Sequence, residues 1–323
     1  MSSAPEVRVA SPLNVPDNDA LRFLPEGPMA MVADGKLSWV GIQHGSDVLH
    51  GSINVLDLAT QSNESHDLPG RPGFAFQCQT APKFVAGVER SLGIFDTNSG
   101  EWTPFCDGVD SDVANTIIND GLAIDDNLIF GTKDLEFAEK KAGLYLYRGS
   151  DQKLIRLRDD QICSNGKMIR KDESGKLFLL DIDSPTRTVV EYPLDIAAGT
   201  IGEARVVLDL TDDPGVPDGA ILTPDGNGII VAIFHPGVAE HGETRLYDLA
   251  TGELRVVWQT PGSPQNTCPA LVPYEGKLKL VITTAVENFS PEDQAKCPNA
   301  GQLFLGETDF VADESFERTV WPV

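Results

Sequence analysis

Apolar and polar residues alternate along this chain in short runs, and turn residues interrupt each run before a helical period is established. One series of β-rich runs covers residues 37–40, 83–87, 127–132, 176–181, 228–233 and 277–284. Most of these follow a small polar or glycine turn, such as Asp34-Gly35, Ser174-Gly175, Asp225-Gly226 or Glu275-Gly276. They start about 44–52 residues apart, a period that belongs to propellers and solenoids. A second series sits after each of the first, at 53–58, 92–96, 143–147, 189–192, 244–248 and 301–304. Three of these close on turns: Thr60-Gln61-Ser62, Thr97-Asn98-Ser99-Gly100 and Ala250-Thr251-Gly252. Six repeats, each with two clear strands and room for two more, predict an all-β, six-bladed β-propeller whose apolar residues bury between blades. Residues 1–20 read as an N-terminal extension or closing strand. Residues 21–323 read as one propeller domain, because no Pro/Ser-rich or charged spacer divides them.

Three distant segments share one chemical character: Pro25-Glu26-Gly27-Pro28, Ser164-Asn165-Gly166 and Pro217-Asp218-Gly219. Each offers an oxygen donor beside a glycine in a turn-like context, and Asn119-Asp120-Gly121 is built the same way. Hard divalent cations take oxygen donors of this sort. A closed, repetitive β architecture can bring distant turns to one point, so a central metal site is expected.

Charge narrows the partners. The 323 residues carry a net charge of −24, and the basic residues are scattered, the densest group being Lys167-Met168-Ile169-Arg170-Lys171. That balance argues against nucleic acid and against an anionic membrane surface as partners. No apolar run reaches the roughly 18–20 residues that cross a bilayer. The five cysteines are odd in number and form no CxxC pair, and the first residues lack a basic, apolar leader, which points to a reduced, cytoplasmic compartment. There is no Gly-x-Ser-x-Gly elbow and no phosphate-cradling glycine loop, and the histidines show no metal spacing. Oligomeric state has no signature here.

The four motifs fall in order, one near the start of a different blade each, and in this the chain resembles the SMP-30/gluconolactonase/luciferin-regenerating enzyme family. The resemblance runs from about residue 21 to 305. It is visible at Leu24-Pro25-Glu26-Gly27-Pro28, at Ile118-Asn119-Asp120-Gly121 followed by Phe130-Gly131-Thr132, and at Ser164-Asn165-Gly166. It continues at Asp183-Ser184-Pro185-Thr186-Arg187 and is strongest at Gly215-Val216-Pro217-Asp218-Gly219. The resemblance implies a divalent cation at one mouth of the channel, Ca²⁺ first, with Mg²⁺, Mn²⁺ or Zn²⁺ as alternatives. It implies Glu26, Asn165 and Asp218 as metal ligands, Asp218 also as the base that takes a proton from water, and Asn119 and Glu136 as substrate contacts. Asp120 reads as a brace for its loop. The implied activity is metal-dependent hydrolysis of a small lactone or ester: the cation polarises the carbonyl and water attacks it. Phosphotriester hydrolysis on the same scaffold, and a non-catalytic propeller with a structural cation, are the alternatives. One departure bears on the substrate. The sugar-lactone pattern has arginine two residues before the asparagine, where this chain has Ile117. If Ile117 faces the pocket, a more apolar lactone or ester is expected, because isoleucine has no directed donors.

Overall fold

The structure, a computed structural model, describes residues 4–314 and 316–322. Six antiparallel sheets form the blades of a propeller, with the inner strands Pro25–Ala30, Pro72–Gln77, Thr116–Ile124, Ser164–Lys171, Val216–Leu222 and Asn266–Tyr274. The two series of runs seen in the sequence are the second and third strands of each blade, for example Lys36–Gly41 with Ser52–Asp57 and Gly228–Phe234 with His241–Asp248. These middle strands are buried against the neighbouring blade on both faces, and their apolar runs are therefore nearly continuous. Outer strands such as Ser62–Asp67 are largely exposed and polar.

The core lies between blades. Phe74 and Phe76 of blade two stack at 5.2 Å, and Phe130 and Tyr145 of blade three stack at 5.5 Å in the same cluster. Leu180 and Ile182 of blade four meet Ile229 and Val231 of blade five. Each fully buried leucine or phenylalanine contributes about 1.5–3 kcal/mol, so every blade depends on the next. The N-terminal segment joins this ring. Glu6–Val9 adds a parallel fifth strand to blade five, and Ser11–Pro12 pairs with Phe304–Gly306 as the outermost strand of blade six. At the far end of the channel the C-terminal segment crosses from blade six to blade two. Phe310 accepts from the Leu278 N–H at 3.0 Å, and Trp321 exchanges 2.8 Å backbone bonds with Gln77 and Gln79. Among the described residues no helix is long and apolar enough to cross a membrane.

The metal-type motifs are not turns between elements. Each interrupts the pairing register of an inner strand: between Glu26 and Met29, Ile118 and Gly121, Asn165 and Met168, and Pro217 and Ala220. A bulge of this kind re-aims one side chain and bends the strand. Gly27 (φ 50°) and Gly166 (φ 55°) sit in the left-handed region, where a side chain is strained. This is why a glycine follows the ligand-type residue in both. Blades two and six carry the same interruption at Gly73 and Thr267. A Cβ on Gly73 would lie 1.9 Å from the Asn119 carbonyl oxygen, and the Thr267 hydroxyl donates to the Pro25 carbonyl at 2.7 Å. Those two bulges tie the ring together.

Candidate functional site

Four bulges bring Glu26, Asn119, Asn165 and Asp218 to the wall of one cavity of about 280 Å³ at the mouth of the channel. Leu24, Ile42, Val216 and Phe234 supply apolar walls, and Lys133, Phe137, Cys163, Ser184 and Glu287 complete much of the lining. A second space of about 710 Å³ lies deeper in the channel, with Asp120, Lys167 and Cys268 on its wall.

The amides form a chain. Asn119 Nδ2 donates to Asn165 Oδ1 at 2.6 Å and to the Ser164 carbonyl at 3.0 Å, while Asn165 Nδ2 donates to the Ser184 hydroxyl at 2.9 Å. Both side chains are buried, and these bonds fix their orientation so that amide oxygen is presented beside the carboxylates. Asp120 sits beneath them. Its carboxylate accepts from the Gly121 N–H at 2.7 Å and from the N–H groups of Gly166 and Lys167, which locks the Asn165 bulge to the Asn119 bulge. Burial pushes the Asp120 carboxyl up, and the nearby Lys167 together with those N–H bonds opposes the rise.

Glu26 and Asp218 carry the electrostatic tension. Glu26 Oε2 accepts from the Gly27 N–H at 2.8 Å. Asp218 keeps some surface open to the cavity, but protein encloses it on all other sides. Burial, first of all, pushes both carboxyls well above the usual carboxylate range. Neighbouring charge adds to this: Asp218 and Asp120 act on Glu26, Asp120 and Glu287 act on Asp218, and Lys133 pulls both back. Among the described residues neither carboxylate has an ion-pair partner. Enclosed carboxylates without a counter-charge cost several kcal/mol unless they are protonated or meet a cation. No three His, Cys, Asp or Glu side chains are gathered as a metal cage among the described residues. The oxygen donors brought to this mouth by the four bulges are two carboxylates and two amides, with the Glu287 carboxylate on the same wall.

Two expected pocket residues lie elsewhere. Ile117 is 2% exposed and is not on the cavity wall. It pairs across the sheet with Lys133, and it is the lysine that reaches the cavity. The condition attached to Ile117, that it face the pocket, is therefore not met; the cavity keeps apolar walls from other residues and has a cation one strand away. Ile117→Arg should then destabilise the fold by at least about 3 kcal/mol, because it buries an unpaired charge. Denaturant unfolding would measure this, and a fully stable variant would place residue 117 on an accessible surface. Glu136 points outward, its side chain 61% exposed and 3.8 Å from Lys141. The cause is the loop after blade three's second strand. The buried Asp134 carboxylate accepts N–H bonds from Glu136, Ala138 and Glu139, and this winding turns Phe137 (φ 50°), not Glu136, over the mouth. Lys133 and Phe137 were legible only as a lysine closing an apolar run and an aromatic just beyond it. Cys163 also lines the cavity, but burial pushes its thiol up, so it stays neutral and is a poor nucleophile.

This arrangement has relatives. A putative sugar lactone lactonase of Bacillus subtilis is 29% identical over 182 residues, 55% of this chain and 57% of that one. The L-arabinolactonase of Azospirillum brasilense is 26% identical over 69% of this chain and 70% of that protein. The chain thus spans little more than half the length of the first of these relatives. In fold, it is similar to a calcium-binding regucalcin from Agrobacterium tumefaciens, with a TM-score of 0.77 at 21% identity over 99% of both chains. A luciferin-regenerating enzyme superimposes with a TM-score of 0.76 at 20% identity, over 93% of this chain and 95% of the other. The model of the SMP-30/gluconolactonase/LRE-like region matches residues 24–286, a span that holds all four bulges and the whole cavity wall apart from Glu287 and Asn288. On that match the chain belongs to the SMP-30/gluconolactonase/LRE-like family.

Proposed function

We propose that the protein is a divalent-metal-dependent hydrolase that opens the ring of a small lactone. The observation that carries this reading is the pair of enclosed carboxylates, Glu26 and Asp218, set from two blades beside two oriented amides with no ion pair of their own among the described residues. Glu26, Asn165 and Asp218 would hold the cation, Ca²⁺ first, and Asn119 would add an amide oxygen from the same wall. A cation bound there supplies Lewis acidity for the substrate carbonyl and acidifies a water molecule. Asp218 has surface on the cavity, so it is the group placed to take the proton from the attacking water. Both Nδ2 hydrogens of Asn119 are spent on Asn165 Oδ1 and the Ser164 carbonyl, so only its Oδ1 is left to meet the cation or to accept from a substrate hydroxyl. The walls of Leu24, Ile42, Val216 and Phe234 exclude bulk water and strengthen each polar contact inside. A cavity of about 280 Å³ suits a small ring, at the low end of the roughly 300–1,000 Å³ of ligand pockets.

Metal-stripped and metal-reloaded protein, assayed on γ- and δ-lactones beside aryl phosphotriesters, tests the reading. Turnover of at least one lactone that vanishes on chelation and returns with Ca²⁺, Mg²⁺, Mn²⁺ or Zn²⁺ is expected. Phosphotriesters turned over with higher kcat/KM than any lactone would transfer the assignment to that chemistry. No metal-dependent turnover of either would leave a propeller with a structural cation.

A further inference from the structure

We propose that Lys133 is the specificity residue of this cavity and that the substrate is a lactone carrying a carboxylate. The inference rests on the hydrolase reading above for the word lactone, and on geometry for the rest. Lys133 is the next-to-last residue of blade three's second strand, is 7% exposed, and reaches the mouth cavity with its side chain. Its backbone is fixed on both sides, paired with Ile117 in its own blade and bridged to Cys163 in the next. Its Nζ lies 5.9 Å from the centre of the Phe137 ring. Among the described residues no carboxylate pairs with this ammonium, and no oxygen accepts a hydrogen bond from it. The other lysine of the channel, Lys167, also makes no side-chain hydrogen bond but is ion-paired, with Asp181 3.5 Å away.

A nearly buried ammonium with three undirected donors is a costly group to keep at a cavity wall unless something completes it. Glu26 and Asp218 feel its charge from a distance, but they are the ligand-type carboxylates, and a divalent cation held by them would consume their negative charge. With that cation in place, Lys133 and Glu287 are the charged side chains left on the wall, and the ammonium makes no ion pair with that carboxylate among the described residues. A substrate carboxylate supplies both the missing charge and the missing acceptors. Phe137 and the apolar wall would cover the ring on its other side.

The test uses one γ-lactone bearing a ring carboxylate and the same lactone with the acid replaced by its carboxamide, so that the two differ in charge and little else. For the intact protein, kcat/KM for the acid over that for the amide should exceed unity by about 10- to 100-fold, the worth of a hydrogen bond to a charged group. Lys133→Met, close in volume, should collapse that ratio towards one, and Lys133→Arg should keep most of it. A ratio unchanged in Lys133→Met would overturn the proposal. If Lys133 only balances Glu26 and Asp218, Lys133→Met would change the metal affinity and leave the ratio where it was. A second readout does not need turnover. Calorimetric binding of the corresponding cyclopentanone carboxylate and its carboxamide, which cannot be hydrolysed, should show the same preference in the intact protein and its loss in Lys133→Met. If the protein hydrolyses no lactone of the wider panel, the hydrolase reading fails while this binding preference still decides the role of Lys133.

Discussion

Asp218→Ala is expected to lower metal-dependent lactone turnover by about a thousandfold or more, a loss of about 4 kcal/mol of transition-state stabilisation, with the six blades still folded. The side chain stands at the point where two jobs meet. It is one of two carboxylates facing the cavity wall beside the oriented amides, and it has surface on the cavity where water would stand. Removing it takes away a charged ligand and the proton acceptor together. The fold should tolerate the change because Asp218 lies at a bulge and not in an inter-blade cluster. Two measurements read the outcome: metal content after dialysis and kcat/KM on the best lactone. Asp218→Asn separates the two jobs, since it keeps an oxygen for the metal and loses the base. Metal binding and turnover like those of the unmodified protein in Asp218→Ala would remove this residue from the site.

The metal-free protein should lose stability as pH rises. Glu26 and Asp218 have ordinary values of 4.5 and 3.8, and in the folded protein both are raised, first by burial and then by neighbouring negative charge. A carboxyl whose folded value is raised binds its proton more tightly folded than unfolded. Its favourable contribution is therefore fully present below the unfolded value and is lost as pH climbs from there towards the folded value. Within that window each such group costs about 1.4 kcal/mol per pH unit. Glu26→Gln and Asp218→Asn, unfolded in the presence of a chelator, should each flatten the decline and gain about 2 kcal/mol or more over the unmodified protein near neutrality. Comparing variants removes the background from the net charge of −24, which also weakens the fold as carboxyls ionise. With a divalent cation present the trend should reverse, because metal and proton compete for the same oxygens. Identical pH slopes in the unmodified protein and both variants would mean that these carboxyls are solvated.

What the sequence made legible follows from burial. The second and third strands of each blade are packed between neighbours, so strands such as Gly228–Phe234 read as unbroken apolar runs at a regular spacing. Outer strands such as Lys153–Gln161 face solvent with charged side chains and leave little alternation to read. The inner strands were harder for a different reason. Ser164-Asn165-Gly166 looks like a turn because a bulge needs the same left-handed glycine that a turn needs, and only the pairing of Asn165 with Ile182 shows that the chain continues as a strand. Ile117 stands out in the sequence as a departure from a pattern, whereas nothing in the sequence singles out Lys133. They lie 16 positions apart in sequence (133 − 117) and directly opposite one another in the sheet, a relation set by register across a hairpin. Glu136 gave way to Phe137 because three N–H bonds to one buried carboxylate wind that loop, and nothing in the composition of 134–139 reveals the winding.

The strand interruption repeated in all six blades has a consequence for how such a protein changes over time. It gives the channel six interrupted inner strands, with Glu26, Gly73, Asn119, Asn165, Asp218 and Thr267 at the interruptions and four of these on the mouth cavity. Each position is carried by a bulge in its own blade, and where no side chain ties one bulge to the next a residue can be exchanged without rebuilding the others; Asn119 and Asn165 are tied, by their own bond and through Asp120. Two of the six are mortgaged to ring closure, Gly73 by the nearness of the Asn119 carbonyl and Thr267 by its bond to Pro25. Asn119 and Asn165 change as a pair, and Glu26 and Asp218 can be rewritten one letter at a time. A propeller of this design should therefore drift between ions and between reactions by single substitutions at fixed addresses, with its blades left as they are.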